Sequence, residues 1–228
     1  MDVNDVIGLL EKHSSESNKL QMAKFGIKTE DAIGVKVPDI RKLAKTIGMN
    51  NDLAVELWNT GIHEARMLAS MITDPQKVSE EQIDEWVACF DSWDLCDVTC
   101  DMIGRTSFVV KKIEEYSLRE EEFVKRTAFA LMCELAFYDK DTSDEKFYHF
   151  FYIIEREAWD ERNFVKKSVN WALRQIGKRN DPLRLSAISV AERVHLQNTS
   201  SARWIARDAI RELTNQKVIE RVIRKTCL

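Results

Sequence analysis

Three prolines and seven glycines in 228 residues leave few places for tight turns, which argues against an all-β sandwich or barrel. No stretch approaches the ~18 apolar residues that a membrane span requires, so no membrane partner is expected. The opening MDVNDVIGLLEKHSS has neither a basic region nor an extended apolar core. A signal peptide is therefore not expected, and a cytoplasmic location is the default. The five cysteines (Cys89, Cys96, Cys100, Cys133, Cys227) include no CxxC pair and read as reduced thiols. Cys96 and Cys100 are spaced i,i+4, yet no histidine accompanies them in sequence to complete a site, and a metal there is not expected. The formal net charge is only −4. Binding to nucleic acid then requires basic residues gathered on one face.

The chain does carry a 3.6-residue period almost throughout. Helices are predicted over roughly 3–13, 38–48, 51–59, 62–73, 80–90, 93–103, 107–117, 120–138, 143–156, 160–178, 182–195, 199–214 and 216–226, with TDPQ, KRNDP and QNTSS as interruptions. No alternating strand pattern stands out. A faint repeat overlies the period. FVKRTAFALMCEL at 123–135 matches FVKKSVNWALRQI at 164–176, an offset of 41, and SARWIARDAIREL at 201–213 echoes the second. HEARMLASMI at 63–72 is a shorter version. Paired helices repeating at this interval bury their apolar faces by stacking on neighbours. The expected fold is all-α: HEAT-like helical repeats stacked in a curved α-solenoid, as a single domain over 1–228.

Helical geometry at about 100° per residue sorts each repeat helix into faces. In 163–178, Val165, Val169, Ala172, Leu173 and Ile176 form a core stripe, and Lys167, Trp171, Arg174 and Lys178 lie opposite. In 120–137, Val124, Ala128, Leu131, Met132 and Leu135 face in, opposite Arg126, Ala130, Cys133 and Phe137. In 200–213, Ala202, Ile205, Ala209 and Leu213 face in, while Arg203, Arg207 and Arg211 face out with Trp204 beside them. In SWDLCDVTCD, Leu95, Val98 and Met102 face in; Trp93, Asp97, Cys100 and Gly104 face out, flanked by Asp94 and Asp101.

Taken singly, each outward residue has an ordinary explanation. A tryptophan often covers a neighbouring helix, and a basic stripe is usually a solvated face of ion pairs worth little. Asp94 and Asp101 suit a helix start or an acidic surface. The coincidence over several equivalent helices favours a concave surface of aromatic and basic residues, which suits nucleobases and phosphates. Asp97 in the middle of such a surface repels phosphate; it costs binding and suits chemistry. A protein–protein scaffold would show apolar anchors there instead.

The segments SWDLCDVTCDMIG, FVKRTAFALMCEL and NFVKKSVNWALRQIGK resemble the core motifs of the AlkD-type DNA alkylation repair glycosylases, and FGIKTEDAIGVKVPDIRKLAKTIG at 25–48 is similar to that family's N-terminal segment. The resemblance covers about residues 20–215. It implies a HEAT-like stack whose concave face holds duplex DNA, and monofunctional excision of cationic alkylpurines such as 3-methyladenine and 7-methylguanine without a cofactor. It also implies that the damaged base stays stacked rather than flipping out. By motif, Trp93 and Trp171 would flank the lesion, Asp97 would be the catalytic carboxylate, and Arg126 would contact phosphate. Around Phe25 the family often has a tyrosine facing the DNA; this chain has no hydroxyl there. Facing alone adds Lys167, Arg174, Lys178, Arg203 and Arg207 as expected DNA contacts, with Lys42 and Lys45 a lesser version of the same reading. His63 and His149 show no partner pattern. A monomer acting on alkylated duplex DNA is expected, against the alternatives of a non-catalytic module for unusual DNA structures or a protein scaffold.

Overall fold

Asp2 and Asp5 form a capping box that starts the first helix, each side chain accepting from the other's backbone N–H. In the computed structural model, which describes residues 1–139 and 142–226, fourteen helices follow in order and no strand occurs among the described residues. They are α1 (Val3–Glu11), α2 (Glu16–Lys24), α3 (Val37–Ile47), α4 (Asn51–Asn59), α5 (His63–Ile72), α6 (Glu80–Ala88), α7 (Trp93–Ile103), α8 (Val109–Ser117), α9 (Glu122–Tyr138), α10 (Asp144–Glu157), α11 (Asn163–Gly177), α12 (Asp181–Leu196), α13 (Ser200–Leu213) and α14 (Gln216–Thr226). Ser15, Asn50, Ser79, Asn180 and Thr199 cap α2, α4, α6, α12 and α13 with side-chain oxygens. Pro38 and Pro182 sit in first turns, where a missing N–H costs nothing. Cys227 lies outside the described residues.

The chain divides into two compact units, Met1–Val109 and Val110–Leu228. In the first, α3 packs on α5 and α5 on α7, with α4 against α5 and α1 touching both α4 and α5. Trp58 and Trp86 stack face to face at 4.1 Å, joining α4 to α6. In the second, α9, α11 and α13 pack side by side as one row, and α10, α12 and α14 as another. This alternation is the two-layer arrangement of HEAT-like repeats, and it explains the sequence offset: α9, α11 and α13 are the equivalent members of successive pairs.

Gly177 shows how closely the second unit is packed. A Cβ there would lie 2.9 Å from Ala187 Cβ and 2.9 Å from Leu213 Cδ2. Alanine favours a helix over glycine by about 1 kcal/mol, but overpacking a fixed core costs about 1–3 kcal/mol, and Ala187 has no flexible end to yield. Gly177→Ala is expected to lower the melting temperature by a few degrees, at roughly 2–4 °C per kcal/mol. A melt at or above wild type would mean that α12 and α13 have slack.

Candidate functional site

The first turn of α7 carries the densest group of predicted residues. Trp93 and Asp97 are one turn apart and both half-buried. The Trp93 indole N–H donates to the Phe25 carbonyl at 3.1 Å, which fixes the ring against the segment after α2. Phe25 itself is 61% exposed. The buried stripe of α7 is Leu95, Cys96, Thr99, Cys100, Met102 and Ile103. Leu95 and Met102 face in as expected, but Cys100 is buried rather than outward and Val98 is only half-buried. The buried side of the helix therefore runs through Cys96 and Cys100 as well as Leu95 and Met102.

Asp94 belongs to a second constellation, which the sequence did not reveal. Its Oδ2 lies 3.0 Å from Nε2 of His63, the first residue of α5. His63 is 5% exposed. Burial pushes its pKa down, but the hydrogen bond to Asp94 and the charges of Asp94, Glu64 and Asp91 outweigh this and hold it above 6.5. The pair therefore stabilises the fold fully below about pH 6.5 and progressively less as pH rises through the elevated folded value. His63→Gln is expected to flatten this part of the melting-temperature profile between about pH 5.5 and 8.5. Parallel profiles for mutant and wild type would exclude the pair as its source.

Next to it, Glu64 is fully buried and accepts three backbone N–H groups, from Ile33 at 2.8 Å, Gly34 at 2.7 Å and Val35 at 3.1 Å. Gly34 has a positive φ of 90°, and a Cβ there would meet the Ser15 carbonyl oxygen at 2.5 Å, so only glycine fits. Together α2, the start of α3, α5 and α7 enclose a cleft of about 380 Å³. Met22, Phe25, Pro38, Met67 and Trp93 supply its apolar wall, and His63, Glu64 and Asp94 also line it.

The remaining predicted residues lie in the second unit. The core stripes of α11 and α13 are fully buried as expected, and Lys167 and Arg207 are exposed. Trp171 is half-buried. Arg174 and Lys178 both bind Glu212 on α13, Lys178 at 2.7 Å, and Arg174 also lies 3.6 Å from Asp208. Although burial opposes it, these cations hold the Glu212 carboxyl below its usual value. Arg203 donates to the Asn198 carbonyl at 2.7 Å, and Lys166 sits 5.4 Å from the Trp204 ring.

Helix α9 departs from its expected facing. Arg126, Ala130 and Cys133, predicted to point away from the core, are buried, and of that set only Phe137 is exposed. Arg126 is 5% exposed and donates to the Phe164 carbonyl at 2.8 Å, because α11 lies directly alongside. Its neighbour Lys125 is also buried, 2.7 Å from Glu157. In the first unit, Lys42 and Lys45 are exposed, and Lys42 pairs with Asp39 at 2.8 Å. No group of His, Cys, Asp or Glu suited to a metal ion occurs among the described residues, and no helix among them is long and apolar enough to cross a membrane.

The sequence model of a family described as "DNA alkylation repair enzyme" matches residues 6–213. A solved structure described as "A new family of proteins related to the HEAT-like repeat DNA glycosylases with affinity for branched DNA structures" superposes with a TM-score of 0.79 and 23% identity, covering 93% of this chain and 95% of the other. At that identity the likeness is one of fold. Among curated proteins no match is found.

Proposed function

Because the chain belongs to the DNA alkylation repair enzyme family, we propose that it is a monofunctional DNA glycosylase. In this reading it removes cationic N3- and N7-alkylated purines, such as 3-methyladenine and 7-methylguanine, from duplex DNA, working as a monomer. The observation that carries it is Asp97, a half-open carboxylate one turn from the half-open indole of Trp93. Alkylation makes the purine a good leaving group, and breaking the N-glycosidic bond puts oxocarbenium charge on the deoxyribose. A preplaced carboxylate stabilises that charge and orients the attacking water. The indole face of Trp93, one turn from Asp97, attracts the cation by about 0.5–2 kcal/mol.

Lys167 and Arg207, exposed and carrying no ion pair among the described residues, are the favoured phosphate contacts. Arg174 and Lys178 are weaker candidates, since phosphate must compete with Glu212 for both. Arg126, engaged at Phe164, positions α11 against α9 and reaches phosphate only if that bond yields. The test is release of free 3-methyladenine and 7-methylguanine from methylated duplex DNA. Release supports the reading; its absence at high enzyme concentration removes it.

A second reading is a module that binds branched DNA without excision. It is favoured by the structural relative whose description names that affinity. Tight binding to a four-way junction, with no base released from methylated duplex, would select it.

A further inference from the structure

We propose that Asn18 sets the orientation of the Trp93 ring, acting through helix α2 over about 10 Å of its length. In the excision reading, on which this role rests, Asn18 is a positioning residue for base release rather than a catalytic one.

Helix α2 buries no residue, so apolar packing holds it only weakly. Polar bonds near its two ends fix its place. Toward the N-terminal end, Asn18 Nδ2 donates to the Gly34 carbonyl at 3.0 Å. Gly34 in turn donates its N–H to Glu64 on α5 at 2.7 Å, so one residue of the strap is gripped from both sides. The start of α2 rests directly on it: a Cβ at Gly34 would lie 2.5 Å from the Ser15 carbonyl oxygen and 2.7 Å from Lys19 Cγ. At the C-terminal end, Phe25 caps α2, and its carbonyl accepts the Trp93 indole N–H at 3.1 Å.

The nine residues of α2 move as one body, because helix hydrogen bonds tie each turn to the next. A tilt at Asn18 therefore displaces the Phe25 carbonyl. An indole has a single N–H to donate, and moving its acceptor frees the ring to take other rotamers. Trp93 opens α7, one turn before Asp97, so the setting of its ring decides what stands beside that carboxylate. The residue type points the same way. Helix formation alone favours an acid at this position, three residues after the Ser15 cap. Asparagine gives that up and gains a donor bonded to Gly34.

The test uses Asn18→Asp in the full chain. This variant keeps the side chain's shape, removes the donor and puts an acid in the first turn, where it favours the helix. A loss is then not a loss of α2 itself. Asn18→Ala, which adds no charge, should behave alike and carries the test should Asn18→Asp fail to fold. The first readout is hydrogen exchange of the Trp93 indole N–H by NMR, its signal identified by its absence in Trp93→Phe. Exchange is expected to be about threefold to tenfold faster in either variant. The second is single-turnover release of 7-methylguanine at saturating enzyme, expected to be slower by about the same factor. In a Trp93→Phe background the Asn18 substitution should slow release no further. Unchanged indole exchange, or a full loss of rate repeated in the Trp93→Phe background, would each overturn the proposal. Wild type that releases no base, while indole exchange still responds to Asn18, would end the excision reading and keep the link between Asn18 and Trp93.

Discussion

Asp97→Asn is expected to lower the rate of alkylpurine release by about 10²–10³-fold, the usual loss when one preorganised electrostatic group is removed from a transition state. Affinity for duplex DNA should hold or rise, because the substitution also removes a negative charge from the surface proposed to meet phosphates. This opposite movement of rate and affinity makes the experiment decisive. A structural role for Asp97 would lower both together, with the melting temperature. Asparagine keeps the shape and can still accept a hydrogen bond, so a fold defect is not expected at a half-buried position. The measurement is single-turnover release of 7-methylguanine alongside equilibrium binding to the same duplex. A mutant that releases base at the wild-type rate would strip Asp97 of its role, even if wild type is an active glycosylase.

The largest effect on stability is expected at Glu64. Glu64→Ala leaves the N–H groups of Ile33, Gly34 and Val35 without their acceptor. Each buried donor without a partner costs about 1–3 kcal/mol, and the carboxylate makes these bonds charge-assisted. The three sit on one short segment and relax together, so the total is about 3–5 kcal/mol rather than a full sum. At roughly 2–4 °C per kcal/mol the melting temperature should fall by about 6–20 °C. The damage should also be directed: the segment from Ile27 to Val35 loses its anchor to α5 and becomes the first site of proteolytic cutting. A fall under about 2 °C, or first cutting elsewhere, would show that the loop is held by something other than this carboxylate.

Most of the fold was legible because it repeats. Each helix of α9, α11 and α13 carries its own apolar stripe, and the offset near 40 residues announces pairs that stack. Thirteen of the fourteen helices fall where the period puts them. The exception is α2, whose ESNKLQMAK sequence has no buried residue and hence no stripe to detect. Its Ser15 cap, followed by Glu16, was the available signal. The start of α11 was placed three residues early because Asp160 accepts from the Arg162 backbone and side chain, making a turn where the pattern still reads as helix.

The site was legible only in part. Trp93 and Asp97 sit one turn apart on one helix, a spacing that sequence states directly. The His63–Asp94 pair joins residues 31 positions apart, and only packing of α5 on α7 brings them together. Periodicity also misjudged α9, since assigning one side of a helix to solvent assumes that nothing else covers it. The helices packed on α9 bury Arg126 and Cys133 along with Leu131.

That enclosure of α9 has a consequence in time. Its backbone amides are bonded within the helix, and from Val124 to Cys133 every residue is buried, so deuterium reaches them only when neighbouring helices part. α14, at the end of its row, has exposed residues on most of its length and frays without such a cost. Amide exchange should therefore grade the second unit from exposed α14 to enclosed α9, with the middle of α9 the last to be labelled and its rate reporting the opening of the whole unit.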